Sequence, residues 1–104
     1  MTVYVDDMKA KFGRMIMCHM IADTDEELHE MASKIGVKRK WHQKPGTHNS
    51  HYDICLQMRD KAVTLGATEI TWRQAGLMTM YRRKTGVLGT PATVLEDIKV
   101  DLVD

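Results

Sequence analysis

A chain of 104 residues, 43% hydrophobic and 28% charged, is long enough for one soluble domain with a core of its own, without metal or disulfide staples. The net charge of +1 argues neither for nor against nucleic acid. Cys18 and Cys55 stand far apart with no C-x-x-C and read as reduced core thiols of a cytosolic protein. The start Met1-Thr2-Val3-Tyr4-Val5 lacks a basic region and no apolar run reaches membrane-spanning length, so neither secretion nor membrane insertion is expected.

Two features of composition stand out. Nine methionines against one phenylalanine suggest a core filled by adaptable side chains. Basic residues, among them Lys9, Lys11, Arg14, Lys38, Arg39, Lys40, Lys44, Arg73 and Arg82, lie before residue 90, while Glu96, Asp97, Asp101 and Asp104 crowd the tail. A basic body with an acidic tail suits an anionic ligand, although scattered solvated charge gives the same count.

Taken in order, Thr2 to Asp6 is a short β-branched and aromatic strand stopped by Asp6-Asp7. Asp7 to Arg14 is a polar loop containing Gly13. Met15 to Ile21 is apolar on both faces, as in a central strand covered by helices on each side, and only His19 breaks the pattern. Thr24 to Glu27 matches the capping box, and Leu28, Met31, Ala32 and Ile35 recur at helical spacing up to Gly36, which predicts a helix over 25–35.

Val37 to His42 reads as a further strand, broken by Pro45-Gly46. Ser50 and Asp53 form a weaker capping box for a helix over 52–65, with Ile54, Met58, Ala62 and Leu65 on its apolar stripe. Ala67 to Ile70 is a short strand, and Thr71 caps a helix over 72–85. The chain divides into an α/β domain, 1–86, and a C-terminal extension, 87–104, which forms a last short helix near 92–99 or an arm. The expected core includes Met17, Ile21, Leu28, Met31, Ile35, Met58, Ala62 and Leu65.

This alternation predicts a single small α/β domain, with a three- to four-stranded, mostly parallel sheet flanked by helices. In such a sheet, ligands sit beyond the carboxyl ends of the strands. Asp23, the His42–Asp53 loop and Thr71-Trp72-Arg73 would meet there. Strand one fits in two ways. Eight residues between it and the next strand are fewer than a parallel crossover normally needs, yet they reach about 26–29 Å when extended. An antiparallel hairpin would put Asp6 and Asp7 at the opposite edge from Asp23 and His42.

The densest chemistry lies in Trp41 to Asp53, with the spacing His42-x5-His48-x2-His51-x-Asp53. Imidazole and carboxylate suit a divalent ion, and a flexible loop can wrap one, though the spacing matches no established metal motif. The same residues could serve metal-free acid–base or phosphate contacts, or cap a helix. Asp6-Asp7 at a strand end resembles a carboxylate pair for Mg²⁺ and equally an ordinary turn. His19 fits a satisfied core histidine or a site residue, and His29 falls outside the apolar stripe, toward the surface.

The expected site assigns His42, His51 and Asp53 to catalysis, Lys44, Thr71 and Arg73 to a phosphate group, and Asp6, Asp7, Asp23 and His48 to a divalent metal ion. The functional expectation is a small phosphoester-handling enzyme, a metal-assisted hydrolase of a nucleotide or nucleic acid. Its rivals are a non-enzymatic nucleotide- or phosphate-binding module and a phage accessory protein acting on a host protein.

The motifs Val3-Tyr4-Val5-Asp6-Asp7-Met8, Cys18-His19-Met20-Ile21-Ala22-Asp23-Thr24, Trp41-His42 and His48-x-Ser50-His51-Tyr52-Asp53, in this order, resemble a family of small bacterial and phage proteins known as domain of unknown function 4031. The resemblance covers roughly residues 1–85. It implies a cytoplasmic protein of a bacterial or phage-infected cell, and brings no activity, cofactor or substrate.

Overall fold

The apolar run after Gly13 forms the strand on which the sheet is built. In the computed structural model, which describes residues 2–94, the elements are β1 (Val3–Val5), β2 (Ala10–Phe12), β3 (Met15–Ala22), α1 (Asp25–Ile35), a 3₁₀ turn (Arg39–Trp41), β4 (His42–Gln43), β5 (His51–Cys55), α2 (Leu56–Thr64), β6 (Thr68–Glu69) and α3 (Trp72–Thr85). The strand order is β4-β5-β3-β1-β6, with β2 also paired to β3.

A mostly parallel sheet of three or four strands is therefore not what forms. The sheet has six strands; β1, β2 and β5 all run antiparallel to β3, β4 runs antiparallel to β5, and β1 with β6 is the parallel pair. The cause is loop length. The residues between β1 and β3 are too few for a covering helix, and they fold instead into β2 and a tight turn at Gly13-Arg14, with Gly13 at φ 60°. Phe12 then pairs with Met15, and Val5 with Met20.

The segment after α1 departs further from expectation. No strand covers 37–42; a 3₁₀ turn leads into the two-residue β4. The predicted helix over 52–65 begins only at Leu56, because His51 to Cys55 is spent pairing with β3. Tyr52 and Ile54 are fully buried, as alternate residues of a strand, and sheet pairing overrides a pattern that also fits a helix. By contrast α1 and α3 run over the expected residues. Thr24 caps α1 through the Glu27 amide, and Gly36, at φ 88°, closes it.

Helices cover both faces of the sheet. Val5, Met20, Ala22, Tyr52 and Ile54 face α1 and α2, where they meet Leu28, Met31, Ile35 and Ala62. Tyr4 and Ile21, one residue out of step, face α3 and meet Ala75 and Met78. Leu88 and Val94 pack into that second cluster, so the chain beyond α3 folds back onto it. The expected helix near 92–99 is helical over 91–94, and the rest of it lies outside the described residues.

Leu65 is exposed rather than buried, since α2 ends one residue before it. Met17 and Met58 are only half-buried. Together with Met8 and Met15 they line an open cavity, and Met58 packs against the core as well.

A candidate metal centre

The antiparallel register decides which polar groups meet. Asp6 follows β1, whose last residue pairs with Met20, so Asp6 comes opposite His19; β5 runs on the other side of β3 and sets Asp53 opposite His19. His51 and Asp53 are two apart on one strand and share a face. His19, His51 and Asp53 therefore converge on the sheet face that carries α3. Their nearest nitrogens and oxygen lie within 4.8 Å of one another.

Asp6 is fully buried and orients this group. Its Oδ1 accepts the His19 amide at 2.8 Å and the Met8 amide at 3.1 Å, and its Oδ2 lies 2.7 Å from His19 Nδ1. Burial alone would push this carboxyl up. The hydrogen bonds from the His19 ring and from the two amides outweigh it and hold Asp6 below the usual carboxylate range. The bond to Asp6 likewise raises His19, against desolvation, with Asp6 and Asp53 adding charge attraction.

An ionised carboxylate only accepts, so His19 carries its proton on Nδ1. His51 Nδ1 lies 2.6 Å from the Asn49 carbonyl oxygen, another pure acceptor, and is protonated for the same reason. In the neutral rings, both Nε2 lone pairs are then left free. They face Asp53 Oδ1, at 3.7 Å from His19 and 3.5 Å from His51, while the other carboxylate oxygen, Oδ2, accepts from Gln43 Nε2 at 2.6 Å.

Asp53 Oδ1 is buried and, among the described residues, has no hydrogen-bond partner. With both rings neutral, two lone pairs and an anionic oxygen face one another, a repulsion that either a proton on His19, whose pKa is raised, or a bound metal cation would relieve. The ligand set of two imidazoles and a carboxylate suits zinc or another divalent transition metal, and each histidine holds an acceptor on its far nitrogen, as metal-bound histidines do. Ligand atoms around a tetrahedral ion with bonds of about 2.0–2.1 Å sit roughly 3.3–3.4 Å apart. The two nitrogen–oxygen separations are 3.7 and 3.5 Å and all three atoms lie within 4.8 Å, so the group would have to draw in slightly around an ion.

The remaining expected site residues lie elsewhere. His42 packs on the opposite face of the sheet, under α1, stacked on Tyr52 with ring centroids 5.3 Å apart. There Ser50 Oγ donates to Asp25 Oδ1 at 2.6 Å and so accepts from His42 Nε2 at 2.7 Å. Burial would raise Asp25, but the Ser50 bond and the nearby His42 outweigh it and hold the carboxyl low. His29 is not a free surface group; its Nδ1 lies 2.7 Å from the Tyr52 hydroxyl, and burial, with Arg39 and His42 nearby, holds its pKa down.

Asp7 Oδ1 accepts the Trp72 amide at 2.7 Å, so it occupies the helix end that Thr71 and Arg73 were expected to offer to phosphate. Thr71 itself completes a capping box with Gln74. Asp23 accepts the Thr2 amide at the far end of β3 from Asp6, and His48 and Lys44 sit on the exposed β4–β5 loop. The His48 carbonyl receives a bond from Arg82 at 3.1 Å.

His19 is not among the residues expected at the site, yet the sequence marks it: one imidazole in a strand otherwise apolar on both faces needs a buried partner, and the neighbouring strand ends in a carboxylate.

Over residues 3–84 the chain matches the family described as "Protein of unknown function (DUF4031)", and it belongs to that family. No curated protein and no solved structure matches it. Among the described residues, no helix is long and apolar enough to cross a membrane.

Proposed function

We propose that His19, His51 and Asp53 hold one divalent transition-metal ion, and that the protein is a small metal-dependent hydrolase of a phosphoester in a nucleotide or nucleic acid. The observation that carries this reading is the orphaned Asp53 Oδ1 facing two imidazole nitrogens whose protons are held on the opposite side of each ring.

Three protein ligands leave a coordination position open, the arrangement of catalytic rather than structural sites. A metal there would polarise a phosphoryl oxygen and supply a bound water of lowered pKa. Asp6 fixes the His19 ring, and Gln43 fixes the Asp53 carboxylate so that Oδ1 points inward. His51 serves as a ligand in this reading, and His42, on the far side of the sheet, takes no part.

Basic side chains support a phosphate-bearing substrate. Lys11, Lys38 and Lys40 line the cavity that Asp53 also borders, and among the described residues none has a carboxylate partner. The test is hydrolysis of bis(p-nitrophenyl) phosphate by protein reconstituted with zinc or manganese. Asp53→Asn should lose more than the roughly 10–100-fold that removal of an outer hydrogen-bond partner costs a metal site. Metal-loaded protein that fails to cleave this and any nucleotide diester would point to the non-enzymatic binding module instead.

A further inference from the structure

Four methionines, two aromatic rings and three lysines surround one cleft, and the proposed metal centre needs none of them. The cleft encloses about 650 Å³ between the β2–β3 hairpin and the segment from Gly36 to Gln43. Phe12 is 70% exposed on one wall, and Trp41 is 59% exposed on the other. Burying two such rings would be favourable in a core, and neither is buried, which leaves their faces available to a ligand.

The charge on the cleft has one sign on both walls. Lys11 lies on the hairpin, and Lys38 and Lys40 lie on the opposite segment. The Lys40 ammonium sits 5.2 Å from the Trp41 ring centre, so an aromatic face and a cation are presented together. Asp53 is the acidic residue of the lining, and it belongs to the metal centre.

We infer that this cleft binds single-stranded nucleic acid, with an unpaired base stacked on Trp41 and backbone phosphates held by Lys11, Lys38 and Lys40. Aromatic faces interleaved with cations are what a single strand offers partners for, since every unpaired base has a free π-face and every linkage a negative charge. A duplex keeps its base faces covered. The methionines of the lining adapt to different bases, which suits binding without sequence preference. The inference deepens the hydrolase reading, because Asp53 borders both sites and a strand in the cleft would lie beside the metal.

The test is fluorescence polarisation of a fluorescein-labelled oligothymidylate, in EDTA, with metal uptake measured separately on the same preparations. The wild-type protein should bind, and Trp41→Ala should weaken binding about 10-fold or more. Trp72→Ala, which removes an exposed ring outside the cleft, should bind like wild type. Lys38→Ala with Lys40→Ala should flatten the dependence of log K on log salt by about 1.4, from roughly 0.7 per phosphate contact.

Circular dichroism establishes that each variant is folded. Absence of binding by folded wild-type protein, equal losses in the two tryptophan variants, or equal affinity for a duplex of the same length would overturn the inference. So would Trp41-dependent self-association or peptide binding without oligonucleotide binding. Metal uptake without oligonucleotide binding removes the cleft assignment and leaves the metal centre standing. Oligonucleotide binding without metal uptake supports the cleft assignment and removes the hydrolase.

Discussion

His19 Nδ1 lies 2.7 Å from Oδ2 of Asp6, a carboxylate fully buried at the end of the neighbouring antiparallel strand. The hairpin between them brings residues thirteen apart into register. That pairing fixes the tautomer of His19, and with it the direction of the free lone pair at the proposed metal centre.

Replacing Asp6 tests the pairing. Asp6→Asn keeps the shape but loses the charge-assisted bond and forces an amide against the Nδ1 proton or the two backbone amides. Unfolding by urea should show a loss of about 1–3 kcal/mol. Metal affinity should fall about 10–100-fold, as for other outer-shell partners. Unchanged affinity would mean that Asp6 merely ties β1 to β3.

Acid should destabilise the fold through Asp6 and Asp25, both held below the usual carboxylate range. A carboxyl depressed in the folded state contributes stability above its unfolded pKa, and that contribution is lost as pH falls through the folded value. The midpoint in urea should therefore drop steeply below about pH 4. Asp25→Asn should lower stability at neutral pH and flatten this slope. A slope unaltered by that change would place the acid sensitivity elsewhere.

His19 carries the opposite sign. Its pKa is raised, so in metal-free protein its contribution is complete below the unfolded value and fades as pH rises through the folded one. Metal binding needs the neutral ring and must displace a proton from it. Uptake should thus release protons in weakly acid buffer and strengthen as pH rises toward and beyond 7. Calorimetry in buffers of different ionisation enthalpy measures that release.

Leu28 is 1% exposed and packs among Met31, Ile35, Met20 and Tyr52 on the α1 side of the sheet. Leu28→Ala should cost about 2–5 kcal/mol in denaturant melts, the range for buried leucines whose cavities do not collapse. A cost below about 1 kcal/mol would mean that α1 packs more loosely than the described core.

Gly89 tests whether the segment after α3 is integral to the fold. A Cβ there would sit 2.7 Å from Val94 Cγ1 and 3.1 Å from the Tyr81 ring. Gly89→Ala should cost about 1–3 kcal/mol, as overpacking does. A neutral substitution would indicate that Leu88 and Val94 do not hold this segment against α3.

Much of the fold was legible where local signals agree. Thr24 with Glu27, and Thr71 with Gly86, mark the ends of α1 and α3 because caps act within a few residues. Tyr52 to Cys55 fits the start of a helical stripe as well as a strand, and only pairing with β3 decides between them. The site followed the same division. His51 and Asp53 stood out by density, whereas His19 and Asp6 join them through antiparallel register, a non-local property. His42 was grouped with His51 by proximity in the chain, but the β4–β5 hairpin turns its ring to the other face.

The most direct measurement is titration with cobalt(II), followed by its visible absorption, on wild-type protein and on His19→Ala, His51→Ala and Asp53→Asn, each folded by circular dichroism. The account predicts one equivalent bound by the wild type with the spectrum of a nitrogen–oxygen site, strong loss in all three variants, and retention in His42→Ala. Wild-type protein that takes up no cobalt, or uptake that survives loss of His19 and His51 but fails in His42→Ala, would contradict it.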